Sequence, residues 1–367
     1  MSERVVNFAA GPATLPEPVL EQVQRDLLSL PGVGASALEV SHRGAWFTSV
    51  IAEAEGNLRQ LLAVPDHYHV LFCQGGATQQ FSMVAMNLLR GSSATADLVV
   101  TGSWSEKAVT EAQKEGSVRI AWTGRADGFT RVPSAEELAE SLDVGAAYAH
   151  VTTNETIHGV EFGDDPAAPH GVALVADMSS DFLSRPVDVD RYALLYAGAQ
   201  KNLGPAGLTV VIVRDDVLAS IPDGLPTMLD YRTFVRHGSR YNTPPVFAIY
   251  VSMLVTRWLL HEVGGLGRQH DINRQKAALL YERIDESDGF YRGHAETGSR
   301  SLMNVTWRLP TEQLERAFVA EAAVSGLIEL KGHRSVGGIR ASVYNAMGLD
   351  GAGRLSSFMR AFAVAHA

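Results

Sequence analysis

A single lysine lies among small, flexible residues in the stretch YAGAQKNLGPAGL, which covers positions 196–208. Lys201 follows an apolar run typical of a buried strand and precedes a second run of the same kind. Surface lysines usually lie among other charges on polar helix faces, and this one does not. A glycine-rich loop therefore holds the amine at the end of a strand, where it could act as a nucleophile or a base. The alternative is a solvated lysine without a chemical role.

An acid emerges from the preceding strand pattern. The run GVALVADMSS ends its apolar part at Asp177. A carboxylate in such surroundings costs free energy unless it is paired. Because Lys201 follows roughly one crossover later, and ligands gather at the carboxyl ends of parallel strands, the acid and the amine are expected at one edge of the sheet. A structural salt bridge or a helix cap is the alternative for Asp177.

Two weaker signals accompany this pair. The turn CQGGAT ends one strand and opens a helix, so the backbone N–H groups of Gly76, Ala77 and Thr78 could face an anion. Trp104 follows the next strand, where its indole could stack on a flat ring. An ordinary turn and a core tryptophan are the respective alternatives. Together, amine, acid, anion-binding turn and aromatic are what pyridoxal phosphate requires, since lysine binds its aldehyde and an acid keeps its pyridine nitrogen protonated.

The elements around these residues indicate an α/β fold. Seven short apolar runs alternate with helical or turn-rich segments, which favours a mostly parallel sheet covered by helices on both faces. After the glycine pair at 264–265 the pattern changes to mixed strands and helices, typical of a smaller α+β domain. The predicted domains are a large domain at 15–263 and a small C-terminal domain at 264–367, with the segment 1–14 packing near the small domain.

Length and composition limit the functional classes. The chain has 367 residues, 46% of them hydrophobic and 20% charged, as expected for two globular domains. A net charge of −10 disfavours nucleic acid and anionic membranes as partners. The single cysteine, Cys73, allows no intrachain disulfide and favours a reducing compartment. No signal peptide is expected, and the apolar stretch from Val246 to Leu260 is interpreted as too short to span a bilayer.

Several motifs carry a resemblance to a known family. NFAAGPATLP, EVSHRG, VLFCQGGATQQF, NETIHG, DMSSDFLSRPVDV, YNTPPVFAIY and KGHRSVGGIRASVYNAM occur in order along nearly the whole chain, together with the segment around Lys201. This set resembles the phosphoserine aminotransferases, which are class-V aminotransferases and fold-type I pyridoxal phosphate enzymes. The resemblance implies a large domain with a seven-stranded, mostly parallel sheet, a smaller α+β domain, and pyridoxal 5′-phosphate as cofactor.

The resemblance also implies roles for individual residues. Lys201 would carry the cofactor and act catalytically, Asp177 would pair with its pyridine nitrogen, and Trp104 would stack on its ring. The remaining implied cofactor contacts are Thr156 to the ring hydroxyl, Ala77, Thr78 and Gln200 to the phosphate, and Asn242 and Thr243 to the phosphate from the partner subunit of a homodimer.

Two motifs depart from the family pattern. The glycine-rich turn usually reads GGG followed by Arg or Thr, whereas this chain has GGATQQ. Ala77 still offers a backbone N–H and Thr78 a hydroxyl, so phosphate binding is expected to persist with an altered local shape. The family's NETIDG is NETIHG here, and we interpret His158 as a solvated loop histidine.

Charge indicates how the substrates could be bound. Two His–Arg pairs, His42 with Arg43 and His333 with Arg334, lie far apart in the sequence, and Arg340 follows the second pair. Arginine binds carboxylate and phosphate in a bidentate manner, so two converging pairs would suit a phosphate or the side-chain carboxylate of glutamate. Arg340 would then bind the α-carboxylate. Scattered surface arginines are the alternative.

The resemblance, together with these charges, implies a reversible transamination between glutamate and 3-phosphohydroxypyruvate that gives O-phosphoserine and 2-oxoglutarate, in serine biosynthesis. The related phosphohydroxythreonine step of pyridoxine biosynthesis is a possible second use, and a cytoplasmic location is expected. A cysteine desulfurase is disfavoured because Cys73 lies in a buried strand pattern. An alanine–glyoxylate type transaminase would not need two His–Arg pairs, and a non-enzymatic cofactor-binding module would not need Lys201, Asp177 and Trp104 together.

Overall fold

The computed structural model describes residues 4–366. Its strands are short and apolar, as the alternating runs predict. The strands are β1 Val6–Asn7, β2 Tyr68–Gln74, β3 Ala96–Val100, β4 Val118–Thr123, β5 Ala149–Thr152, β6 Asn154–Glu155, β7 Val160–Glu161, β8 Leu174–Asp177, β9 Leu194–Gly198, β10 Leu208–Arg214, β11 Arg292–Gly293, β12 Asn304–Arg308, β13 Leu327–Ile328 and β14 Ile339–Ser342.

Helices alternate with these strands through the first two thirds of the chain. The α-helices are α1 Glu17–Asp26, α2 Ala45–Leu62, α3 Ala77–Leu88, α4 Ser103–Ala112, α5 Ala135–Ser141, α6 Asp215–Ser220, α7 Tyr231–Arg236, α8 Val246–Trp258, α9 Leu266–Asp285, α10 Glu312–Val324 and α11 Leu349–His366. A π-helical turn at Leu259–Val263 continues α8.

A seven-stranded sheet with the order β2-β10-β9-β8-β5-β3-β4 forms the centre of the molecule. β10 runs antiparallel to both of its neighbours, and the other strands are parallel to one another. Two apolar clusters cover its two faces, one containing α2 and α8 side chains and the other containing α3 and α4 side chains. The predicted mostly parallel, two-sided α/β sheet is confirmed.

The parallel register brings the ends of several strands to one edge. β5 pairs with β8 so that Thr152 lies opposite Asp177, and β8 pairs with β9 so that Asp177 lies opposite Tyr196. β9 then ends at Gly198, two residues before Gln200. The carboxyl ends of β2, β3, β5, β8 and β9 therefore deliver their following residues to the same side of the sheet, as expected for open parallel sheets.

The apolar helix near the middle of the chain is longer than the sequence pattern suggested. Residues Val246–Val263 form one helical stretch of 18 residues with a mean hydropathy of 1.4, so the expectation that it is too short to cross a bilayer was wrong on length. By length and composition alone it could span a membrane. Within the chain, however, Ala248 to Thr256 are all buried and the helix packs on α2, so it lies in the core beneath the sheet.

The C-terminal part of the chain forms a second, smaller sheet with its own helices. β11, β12 and β14 make an antiparallel sheet, and α9, α10 and α11 share an apolar cluster with it. Gly264 and Gly265, both at positive φ, separate the π-helical turn from α9. β1 pairs in parallel with β13, and Phe8 belongs to the C-terminal cluster.

From these contacts we propose the domain boundaries 15–263 and 264–367, with the segment 1–14 attached to the small domain. Residues 1–3 and 367 of those ranges lie outside the described residues.

Candidate active site

Lys201 lies where the sequence pattern predicts, three residues after β9. Its side chain is only 8% exposed. The amine Nζ donates hydrogen bonds to Thr156 Oγ1 and Ser180 Oγ, each at 2.6 Å. Burial lowers its pKa to about 8, although the negative charge of Asp177 acts in the opposite direction. Both hydrogen-bond partners are neutral hydroxyls, so the amine can become neutral without breaking a hydrogen bond to a carboxylate, although Asp177 then loses a favourable charge nearby.

Asp177 ends β8 and is buried at the same edge. Its Oδ1 accepts hydrogen bonds from Ser179 N at 2.9 Å and from Ser179 Oγ at 2.6 Å. Ser179 Oγ in turn accepts from Gly198 N on the next strand. Burial raises the pKa of Asp177, while Ser179 and Lys201 oppose that rise. The acid and the amine therefore share one buried environment, as the strand order predicted.

The glycine turn after β2 opens α3, as expected. Gly76 is the N-cap residue of α3 and supplies no side-chain cap, so the N–H groups of the first turn are not capped by it. A Cβ built on Gly76 would meet open space rather than a neighbouring atom. Ala77 and Thr78 begin the helix, and Gln200 lines the same cavity. This helix end can accept an anion through its backbone N–H groups.

Trp104 lies at the second position of α4 and is half-buried. The Lys201 amine lies 5.6 Å from the centroid of its ring, and the Lys107 amine lies 4.1 Å from it. The indole Nε1 is buried and has no hydrogen-bond partner among residues 4–366. The ring therefore forms one wall of the cavity that contains Lys201.

The sequence pattern missed three polar side chains of this site. Ser179 and Ser180 bond Asp177 and Lys201, and Glu155 bonds the start of α4. Glu155 is fully buried, and burial raises its pKa to about 7. Its position three residues after β5 was an available signal, because an acid shortly after a buried strand is similar to the signal that identified Asp177.

The donor set fits pyridoxal phosphate. One cavity is lined by the helix end of α3, the Trp104 ring, Asp177 and the Lys201 amine. Besides Trp104 Nε1, it has two buried oxygens, Thr152 Oγ1 and Asn154 Oδ1, without a hydrogen-bond partner in the described part of the chain. Buried polar atoms left unpaired are costly, so a polar ligand or water at this place would stabilise them. An amine, an acid, an aromatic wall and an anion-binding helix end thus face one space.

His158 does not lie where it was expected. It is 5% exposed rather than solvated, so the interpretation as a loop histidine in solvent was wrong. Its ring packs on Phe129 and His294, with centroids at 5.0 Å and 5.7 Å. Burial, followed by the charges of His294 and His333, lowers its pKa to about 4. The strand pair β6 and β7 turns the loop inward, which the local polar sequence does not reveal.

A second cavity of about 280 Å³ lies beside the first, between the two predicted domains. His158 and His294 lie on one side of it and Arg340 on another. Burial lowers the pKa of Arg340, and its positive charge contributes to lowering the pKa of Lys201. Arg340 is therefore near enough to the lysine to influence it electrostatically.

The two His–Arg pairs lie on different elements, and no hydrogen bond joins them within residues 4–366. His42 and Arg43 precede α2, where Arg43 is exposed. His333 and Arg334 lie in the loop before β14, where His333 Nδ1 bonds Ser335 Oγ. Arg334 is exposed as well. Convergence of the two pairs therefore stays a prediction.

Asn242 and Thr243 are exposed and contact the end of β2 in their own chain. Gln74 Nε2 donates to Asn242 Oδ1 at 3.0 Å and to the Thr243 carbonyl at 2.9 Å. Neither residue lines the cavity around Lys201. Their contribution to a second subunit's site stays a prediction.

Cys73 lies on β2, the edge strand of the main sheet, one residue before the strand ends. Its side chain is fully buried, and burial raises the pKa of its thiol well above the usual range. A thiol in that position is a poor nucleophile, because the thiolate is the reactive form. The structure therefore disfavours desulfurase chemistry at this residue.

Both the sequence and the fold of this chain are similar to those of known aminotransferases. The chain matches the aminotransferase class-V family over residues 5–356. The phosphoserine aminotransferase of Laribacter hongkongensis is 55% identical over 362 residues, which cover 99% of each chain. The phosphoserine aminotransferase of Bacillus circulans subsp. alkalophilus superposes with a TM-score of 0.96 and 48% identity over all of both chains. That of Trichomonas vaginalis, solved with pyridoxal phosphate bound, has a TM-score of 0.89 and 36% identity, covering 97% of this chain and all of the other.

Proposed function

The chain belongs to the class-V aminotransferase family, and from this premise we propose that it catalyses the reversible transamination of 3-phosphohydroxypyruvate with L-glutamate. The products are O-phospho-L-serine and 2-oxoglutarate. The observation that carries this function is the full-length similarity to phosphoserine aminotransferases, at 55% and 53% identity over 96% or more of each chain. A second observation supports the same function, namely a cavity lined by an amine, an acid and an aromatic ring.

Pyridoxal phosphate, when bound, supplies an aldehyde that takes up the amino group and a conjugated ring that delocalises negative charge. The α3 N–H groups at Ala77 and Thr78, together with Gln200, would hold its phosphate. Asp177 would pair with its ring nitrogen, Thr156 would bond its ring hydroxyl, and Trp104 would stack on its ring.

Lys201 is the residue that moves the proton. A pKa of about 8 instead of 10.5 leaves about a tenth of the amine neutral at pH 7, where less than about a thousandth of an ordinary lysine is neutral. The amine then accepts the proton from the substrate α-carbon and returns it as the amino group is transferred. Thr156 and Ser180 orient its nitrogen through their hydroxyls.

Arg340 binds the α-carboxylate that both substrates share. Its half-buried guanidinium lies at the cavity between the domains and influences the lysine electrostatically. The exposed Arg43 and Arg334, with His42 and His333, bind the phosphate of one substrate and the side-chain carboxylate of the other. The two arginines are exposed and the two histidines half-buried, so an anion can reach the arginines from solvent.

We also propose a homodimer in the cytoplasm, with neither nucleic acid nor a membrane as partner. In this dimer Asn242 and Thr243 reach the cofactor phosphate of the partner subunit. Their exposure leaves their side chains accessible, and Pro244 and Pro245 hold the segment extended and lack N–H groups that need partners. Plant relatives with 51–52% identity are described as chloroplastic, so the compartment differs among relatives.

The substrate assignment is tested by steady-state kinetics with 3-phosphohydroxypyruvate and glutamate. Arg334→Ala should lower kcat/KM for the phosphorylated substrate about tenfold to a hundredfold, because a charged hydrogen bond contributes about 1.5–3 kcal/mol. Arg360→Ala, an exposed arginine on α11, is the matched control and should change little. Equal kinetics for both variants would show that Arg334 is a surface charge. Parallel kinetics with the phosphohydroxythreonine substrate measure the preference between the two reactions.

The shared site is tested by mixing two impaired chains. A Lys201→Ala chain and an Asn242→Ala/Thr243→Ala chain are refolded together. If the residues act across the interface, each mixed dimer has one intact site and recovers about half of the normal activity by symmetry. No recovery would show that Asn242 and Thr243 serve only their own chain.

A further inference from the structure

A buried carboxylate accepts hydrogen bonds from the first N–H groups of α4, the helix that carries Trp104. Glu155 Oε1 accepts hydrogen bonds from Ser105 N and Ser105 Oγ, each at 2.8 Å, and from Trp104 N at 3.1 Å. Its Oε2 also accepts from Trp104 N at 3.1 Å. The N-cap residue of α4 is Gly102, which has no side chain that could cap the helix. Glu155, from a distant part of the chain, therefore satisfies the first N–H groups of α4.

The backbone around this contact leaves little freedom. A Cβ on Gly102 would lie 2.6 Å from Glu155 Cδ and 2.7 Å from His158 Nδ1, which is closer than real Cβ atoms approach other atoms. The absence of a side chain at Gly102 is thus what lets the carboxylate reach the helix end. Glu155 is itself fully buried in the two-residue strand β6.

The same short segment also positions the lysine. Thr156, the residue after Glu155, accepts the hydrogen bond from Lys201 Nζ. One segment therefore connects the aromatic wall of the cavity with the amine opposite it. A shift of the segment would move both together, whereas loss of the Glu155 contact alone would release only the tryptophan.

We propose that Glu155 is a positioning residue that holds the indole of Trp104 in the orientation required for stacking on the cofactor ring. This inference rests on the proposed stacking role of Trp104 and deepens the account of that site. It has a specific thermodynamic consequence. If Glu155 acts through Trp104, its removal should weaken cofactor binding only while the indole is present.

A double-mutant cycle measures this coupling. All proteins carry Lys201→Ala, so that the dissociation constant for pyridoxal phosphate, obtained by equilibrium dialysis, reports non-covalent binding. Glu155→Gln should weaken binding about tenfold when Trp104 is present. In the Trp104→Ala background the same substitution should weaken it less than about twofold.

Glu161→Gln is the matched control, since Glu161 is also a buried carboxylate that accepts a backbone N–H, from Leu302. Its effect on the dissociation constant should be the same with and without the indole. Should the Glu155→Gln protein fail to fold, Gly102→Ala, which crowds the same carboxylate, replaces it with the same expectation.

An equal loss of cofactor binding in both backgrounds would overturn the proposal, because Glu155 would then act on the fold in general. No loss in either background would overturn it as well. Because no substrate takes part in the measurement, a failure of the proposed transamination would leave the cycle interpretable.

Discussion

Two lysines are buried in very different parts of this molecule. Lys201 lies at the carboxyl edge of the main sheet and bonds two side-chain hydroxyls beside a cavity. Lys276 lies on α9, is completely buried, and donates to the carbonyl oxygens of Val343 and Tyr344 at 2.9 Å and 2.8 Å. Burial lowers the pKa of both, to about 8 for Lys201 and about 7 for Lys276.

The difference shows that a buried lysine with a lowered pKa is not by itself a catalytic residue. Burial is the only cause of the shift at Lys276, whereas at Lys201 the acids Asp177 and Glu155 oppose the effect of burial. Lys276 holds the chain just after β14, close to Asn345, whose N–H bonds Asn202 beside the active lysine. It supports the site through the backbone and does not face it.

Removing the amine of Lys201 should have the largest effect. Lys201→Ala should lower kcat by on the order of 10⁴-fold, because general acid–base catalysis alone contributes up to about that factor. Borohydride treatment of the unmodified holoenzyme, followed by mass spectrometry of peptides, should find the cofactor on Lys201. An adduct on Lys276 would reverse the roles of the two lysines.

Removing the acid beside Lys201 should have the next largest effect. Asp177→Asn should lower kcat by on the order of 10²-fold or more, because the proposed electrostatic partner of the cofactor ring is lost. The visible absorption spectrum of the bound cofactor should also shift. A kcat within about twofold of that of the unmodified enzyme would mean that catalysis does not need Asp177. The acid would then not be the feature that separates the surroundings of Lys201 from those of Lys276.

Lys276→Met should separate stability from catalysis. It leaves the buried Val343 carbonyl without its donor and removes one of the two donors to the Tyr344 carbonyl, which keeps the Met347 N–H, so the free energy of unfolding at pH 9 should fall by about 1–3 kcal/mol. The value of kcat should change less than about tenfold, since the amine does not reach the cavity. Urea unfolding and steady-state kinetics on the same preparation test both statements, and a kcat as low as that of Lys201→Ala would contradict them.

The smallest expected effect is a change of the unfolding free energy with pH. Between pH 7 and the ordinary lysine pKa of 10.5, Lys276 is largely neutral in the folded chain and protonated in the unfolded chain. The unfolded state binds more protons, so stability should rise with pH, by up to about 1 kcal/mol per pH unit. The difference in unfolding free energy between the unmodified protein and Lys276→Met, followed from pH 7 to 10, should show this slope. A flat difference would mean that Lys276 remains protonated in the folded state.

Much of the fold could be predicted from the sequence because the signals are local. The seven apolar runs became the seven strands of the main sheet, since a strand buried on both faces needs a continuous apolar stretch. Asp177 and Lys201 were found for the same reason, as polar residues that directly follow such stretches. The KGHR segment lies in the loop between β13 and β14, where Lys331 forms a single isolated bridge with Ile339.

The environments of single polar residues depended on distant parts of the chain. His158 is buried because Phe129 and His294 pack around it, and Glu155 is buried because α4 begins on its carboxylate. Neither partner is near in sequence, so no local pattern could reveal the contact.

Sequence alone thus determined the order of the strands along the chain, the amine and the acid at the sheet edge, and the aromatic residue beside them, because periodicity and strand ends are properties of neighbouring residues. The tertiary structure decided which hydroxyls hold Lys201, which carboxylate starts α4, and which buried lysine faces a cavity. Those outcomes depend on packing between segments separated by 20 to 70 residues, where burial and hydrogen bonding are set by the whole fold.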